Sequence, residues 1–91
     1  MTLRWYGKLK VAAGSRESVI TLPTGTTLRD LPPLLLPEYG EELFRLLGGQ
    51  EAFRQVRVLI NGRDHFTRQG LDTVLGEGDT VTLMPPMIGG G

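Results

Sequence analysis

The run Pro85-Pro86-Met87-Ile88-Gly89-Gly90-Gly91 has the residue types best suited to chemistry in this chain. A carboxylate on Gly91, preceded by Gly90 and Gly89, is the least hindered carboxylate a protein can present. Glycine also frees φ and ψ, so such a stretch can thread a tunnel that a branched residue would block. Pro85 and Pro86 stiffen its root and aim it away from the preceding strand. Seven extended residues reach roughly 23–25 Å at about 3.3–3.6 Å each. The chemistry this suggests rests on the main-chain carboxylate itself, delivered into a partner's buried active site while the folded body stays outside.

Side chains offer little competition. There is no cysteine, hence no disulfide, thiolate metal site or cysteine nucleophile, and one histidine supplies a Ser-His or His-rich metal site poorly. That histidine, His65, follows a tight turn and reads as an exposed loop residue. Glu41 and Glu42 read as a solvated helix face. Gly76-Glu77-Gly78-Asp79 lacks the strand before and the helix after that a phosphate loop requires, and reads as a turn entering the last strand.

The elements that must position the glycine run follow from periodicity. Met1 to Leu9 opens as a strand, with Leu3 and Trp5 on one face and Arg4 and Tyr6 on the other. Val11-Ala12-Ala13-Gly14-Ser15 reads as a turn, and Ser18 to Leu22 as a second strand closed by Pro23 and Gly25. Thr27, with Asp30 three residues on, signals a helix start. Pro32 and Pro33 move the helix proper toward Asp30, and Pro37 is expected to interrupt it. A second helical piece, Glu38 to Leu47, turns Leu43, Phe44, Leu46 and Leu47 to the core and ends at Gly48-Gly49. Val56 to Ile60 is the clearest strand, followed by the tight-turn pair Asn61-Gly62. His65 to Thr67 is expected to pair back briefly. Gly70-Leu71-Asp72-Thr73 is a turn, and Thr80 to Met84 is the last strand. Trp5, Ile20, Leu22, Val56, Val58, Ile60, Val81 and Leu83 are the expected core.

This order predicts an α+β fold: a β-grasp (ubiquitin-like) roll with a mixed sheet of four to five strands and helix on one face. Residues 1–84 form the domain and 85–91 a flexible C-terminal tail. Tyr6, Leu59 and Met84 fall out of phase with the inward positions of the first, third and last strands. Beside Arg4 and Arg57 they form a candidate partner-binding patch at the base of the tail.

The chain's 91 residues suit one domain, and 40% hydrophobic with 22% charged residues is ordinary for a folded globule. Ten basic residues balance ten acidic ones, so no net field draws it to nucleic acid or an anionic membrane. With no signal peptide or apolar run of spanning length in view, the expected compartment is the cytoplasm.

Val58-Leu59-Ile60-Asn61-Gly62-Arg63, Gly70-Leu71-Asp72-Thr73, Gly78-Asp79-Thr80-Val81 and the Pro85-Pro86-Met87-Ile88-Gly89-Gly90 ending together resemble the ubiquitin-like sulfur carriers of the MoaD/ThiS family. The Pro-Pro pair favours the molybdopterin branch, the small subunit of molybdopterin synthase. The resemblance implies that an adenylating enzyme of the ubiquitin-activating type (MoeB/ThiF-like) uses ATP to activate the C-terminal glycine. Sulfur then replaces AMP to give a thiocarboxylate, and the large synthase subunit (MoaE-like) receives it. On this reading the chain is non-catalytic alone, holds no cofactor tightly, and carries its reactive group on Gly91 or Gly90. The family usually stops at the second glycine, whereas Gly91 follows here. The alternatives are a ubiquitin-like modifier forming isopeptide bonds, a sulfur carrier for thiamine, cysteine or thiolated tRNA, and a plain β-grasp interaction module.

Overall fold

The inward-outward alternation of the first strand holds for four residues and then gives way to a helix. In the computed structural model, which describes residues 1–85, β1 (Thr2–Trp5) buries Leu3 and Trp5 completely and exposes Arg4. The expected continuation to Leu9, and the turn expected at Val11–Ser15, are both replaced by α1 (Gly7–Ala13). Gly7 takes φ +57°, which glycine reaches without strain and which breaks the strand. Leu9, Ala12 and Ala13, spaced i, i+3, i+4, turn to the core. Gly14 closes the helix in the left-handed conformation, its N–H bonding the Lys10 carbonyl at 3.0 Å.

β2 (Glu17–Val19) is shorter than the run Ser18 to Leu22 expected from pattern. It pairs antiparallel with β1, and Ile20 and Met1 exchange backbone bonds at 2.9 Å as the last rung. Beyond that rung the chain turns through Pro23 and Gly25, so Ile20 and Leu22 pack half-buried against the core and not within it.

Thr27 and Asp30 form a reciprocal capping box over a 3₁₀ turn, Leu28–Asp30. α2 (Leu31–Tyr39) follows, with Pro32 and Pro33 in its first turn, where missing N–H groups cost nothing. Pro37 does not interrupt it. The helix runs past Pro37 to Tyr39 and breaks at Gly40 (φ +90°, ψ 174°), so the second helical piece is α3 (Glu41–Leu46) and begins later than Glu38. Pro37 lies in the last turn, where few further helical bonds remain to be lost. Leu31, Leu35, Leu43 and Leu47 are buried, Phe44 and Leu46 half-buried, and Gly48 and Gly49, both at positive φ, end the helical part.

β3 (Arg57–Ile60) buries Val58 and Ile60, and Val56 just ahead of it is also in the core. Asn61 and Gly62, at φ +52° and +84°, make the two-residue turn into β4 (Arg63–Asp64). The pairing expected for His65–Thr67 does not occur. Asp64 accepts the Phe66 N–H at 2.9 Å and pulls the chain into a 3₁₀ turn. His65 is correspondingly buried, not exposed, with Nδ1 3.3 Å from the Val58 carbonyl and its ring against Phe66.

β5 (Thr80–Met84) completes a five-stranded mixed sheet in the order β2-β1-β5-β3-β4. β1 and β5 run parallel at its centre, Leu3 opposite Val81 and Trp5 opposite Leu83, and every other pairing is antiparallel. Helices cover one face. Trp5 anchors the interface between layers, its Nε1 donating to Ser18 Oγ at 3.2 Å and its ring 5.7 Å from Tyr39. This is the β-grasp arrangement expected from the element order, with one helix more.

Candidate functional site

Sheet register decides which side chains surround the end of β5. On the face away from the helices, Met84 stands opposite Arg57, while Thr82 stands opposite Leu59 on one side and Arg4 on the other. Tyr6 extends β1 by one residue, its N–H bonding the Leu83 carbonyl at 3.1 Å, and is 45% exposed. Leu59 and Met84 are half-buried; Arg4 and Arg57 are exposed, Arg4 reaching Glu17 at 3.7 Å. Tyr6, Leu59, Met84, Arg4 and Arg57 thus lie on three neighbouring strands of one open face.

Pro85 leaves that face beside the start of α1. A Cβ on Gly7 would come within 2.8 Å of Pro85 Cγ, so the absent side chain at Gly7 is what lets the root pass so close. A cavity of about 380 Å³ opens next to Pro85, with Lys8, Arg45 and Arg54 among its lining residues. A second, of about 270 Å³, is lined by Arg4, Lys10 and Arg16 on the other side of α1. Sequence reasoning missed these lysines because it ran a strand through Lys8 to Leu9 and a turn from Val11, leaving no helix to carry Lys8 and Lys10. The signal was the i, i+3, i+4 spacing of Leu9, Ala12 and Ala13 between Gly7 and Gly14. Pro86, Met87, Ile88, Gly89, Gly90 and Gly91 lie outside the described residues.

The opposite end of the sheet is held by side chains. Asp79 sits below the ordinary carboxylate range, first because the Gly76 N–H donates to it and second because the Asn61 amide does. Asp30 is lowered in the same way by the Thr27 N–H and then the Thr27 hydroxyl. Glu41 and Glu42 are exposed in the first turn of α3, where the helix dipole favours them. Among the described residues no three His, Asp or Glu side chains converge as a metal site. None of the described helices is long and apolar enough to cross a membrane.

Comparison with known proteins agrees with this geometry. A family model described as the ThiS family matches residues 3–90. Small archaeal modifier protein 3 of Haloferax volcanii is 30% identical over 90 residues, which covers 99% of this chain and 98% of that protein. The crystal structure of SAMP1 from Haloferax volcanii matches at a TM-score of 0.77 and 26% identity, over 99% of this chain and 98% of that one. The solution structure of Urm1 from Trypanosoma brucei matches at a TM-score of 0.73 and 32% identity, over 98% and 93%.

Proposed function

This chain belongs to the ThiS family of ubiquitin-like sulfur carriers, and from that premise we propose that it carries sulfur as a thiocarboxylate on its C-terminal glycine for molybdopterin synthesis. The observation that carries the reading is a rigid root joined to an unhindered end. β5 is paired on both sides, to β1 and to β3, and Pro85 rests beside Gly7; the sequence then runs Pro86-Met87-Ile88-Gly89-Gly90-Gly91. The body holds the root while the last residues enter a partner's pocket.

The chemistry needs no side chain of this protein. A glycine carboxylate oxygen attacks the α-phosphorus of ATP in an adenylating enzyme (MoeB/ThiF-like), and pyrophosphate leaves. A donor persulfide or sulfide then adds to the acyl carbon, AMP leaves, and a thiocarboxylate remains once any disulfide is reduced by a thiol. In a large synthase subunit (MoaE-like) the sulfur bonds to the pterin precursor, and water then attacks the acyl carbon, cleaving its C–S bond and restoring the carboxylate. Dependence on ATP suits the cytoplasm. The face bearing Tyr6, Leu59, Met84 and Arg57 is the surface on which these partners dock.

A second reading, conjugation of the same activated glycine to a lysine of another protein, is favoured by the likeness to a small archaeal modifier protein. Intact-mass spectrometry after incubation with the host's adenylating enzyme, ATP and a sulfur donor separates the two. Sulfur carriage exchanges one oxygen for sulfur; conjugation gives a far heavier adduct. Removal of Gly90 and Gly91 together abolishes either product, and removal of Gly91 alone identifies the reactive glycine. An unchanged mass with all components present overturns both readings.

A further inference from the structure

Charge is distributed unevenly over a chain whose basic and acidic residues cancel. Lys8 and Lys10 are exposed on α1, Arg16 is exposed just after it, and Arg57 is exposed opposite Met84. None of these four makes an ion pair among the described residues. Three further cations stand with them: Arg4 shares a cavity with Lys10 and Arg16, while Arg45 and Arg54 share one with Lys8 and Pro85. These last three do have carboxylate partners, in exposed pairs with Glu17, Glu42 and Glu51. Such pairs hold side chains only weakly and exchange readily for a stronger partner.

The carboxylates held in the turns lie elsewhere. Asp79 is engaged with Gly76 and Asn61 at the far end of β5, and Asp30 with Thr27. The cations therefore gather where Pro85 leaves the domain.

We infer that this basic collar, with Lys8, Lys10 and Arg16 as its free members, docks an acidic protein surface bordering the mouth of the pocket that accepts the glycine end. The inference rests on the tail-delivery reading above. Two observations choose the occupant. Six residues follow Pro85, reaching roughly 20 Å when extended, so the collar meets the rim of a partner's pocket and not the nucleotide at its floor. The collar also borders the apolar group Tyr6, Leu59 and Met84, which a protein surface rewards and a phosphate backbone does not. Opposite charge at the rim steers the encounter and fixes the angle at which the tail enters.

The test uses the full chain, labelled with ¹⁵N and titrated at low salt with a ten-residue polyglutamate peptide. Amide shifts are expected to cluster on residues 7–16 and on Arg57 and to vanish at high salt. Scattered or absent shifts overturn the proposal, as does tighter binding of a single-stranded RNA of equal charge. In parallel, Lys8→Glu/Lys10→Glu/Arg16→Glu and the neutral Lys8→Gln/Lys10→Gln are compared as substrates of the host's adenylating enzyme. The reversed chain is expected to raise KM by about tenfold or more at unchanged kcat, the neutral chain by less, and the distant control Arg63→Glu not at all. Equal KM for all four chains overturns the collar. A wild-type chain that is never adenylated counts against both activated-glycine readings and not against the collar, because the peptide titration still decides the collar.

Discussion

Asn61 and Asp79 are joined side chain to side chain, the Asn61 Nδ2 donating to Asp79 Oδ1 at 2.9 Å. The same pair clamps two turns. Asn61 Oδ1 accepts the Thr80 N–H at 2.9 Å, and Asp79 Oδ2 accepts the Gly76 N–H at 2.8 Å. The turn leaving β3 and the turn entering β5 are thereby fixed to each other, which sets the β3–β5 register and so the position of Met84 and Pro85 at the far end.

Asp79→Asn is expected to cost about 1–2 kcal/mol at neutral pH, because an amide cannot accept from both Gly76 and Asn61 as the carboxylate does. The pH dependence follows from the direction of the shift. Asp79 ionises below the ordinary aspartate value, so its contribution is complete above that ordinary value and is lost as pH falls through the folded-state value. Urea unfolding at pH 7 and pH 3 should show the variant losing less stability on acidification than the wild type. A residual acid limb remains from Asp30, which is lowered too.

Gly7→Ala should move the root of the C-terminal run. The new Cβ meets Pro85 at 2.8 Å and the residue is held at φ +57°, so a loss of about 1–3 kcal/mol is expected. Thermal unfolding gives the loss, and amide shifts at Met84 and along α1 report the displacement. An unaltered Tm would contradict the close approach.

Trp5 is the sole tryptophan and is fully buried. Trp5→Ala is expected to cost about 3–5 kcal/mol, a large share of a small domain's stability. Denaturant titration followed by circular dichroism measures it, and in the wild type the blue-shifted Trp5 emission moves red in the same transition.

Leu59→Glu tests the open face. Leu59 is half-buried opposite Thr82 and away from the helices, so the domain should lose no more than about 1 kcal/mol. Affinity for the adenylating enzyme, measured by calorimetry, should fall about tenfold or more. Unchanged affinity would remove Leu59 from the proposed docking surface.

Much of this protein is written locally. Val58 and Ile60 alternate with Arg57 and Leu59, Asn61-Gly62 demands left-handed φ at a two-residue turn, Thr27 and Asp30 cap each other, and Gly48-Gly49 stops a helix. Each signal acts within a few residues and needs no knowledge of the rest of the chain, and the glycine run at 89–91 was legible in the same way. Tertiary structure alone decided the remainder. A seven-residue α1 is too short to be stable by itself, and it exists because Leu9, Ala12 and Ala13 find a core to cover. His65 is buried because the turn capped by Asp64 folds it onto the Val58 carbonyl. Pro37 stays helical because Leu31 and Leu35 are already packed, which outweighs one missing bond. Parallel pairing of Leu3 with Val81 joins the two ends of the domain, and no local rule anticipates it. That pairing brings α1 beside the root at Pro85, so the glycine run is a matter of composition while the surface around its root is a matter of packing.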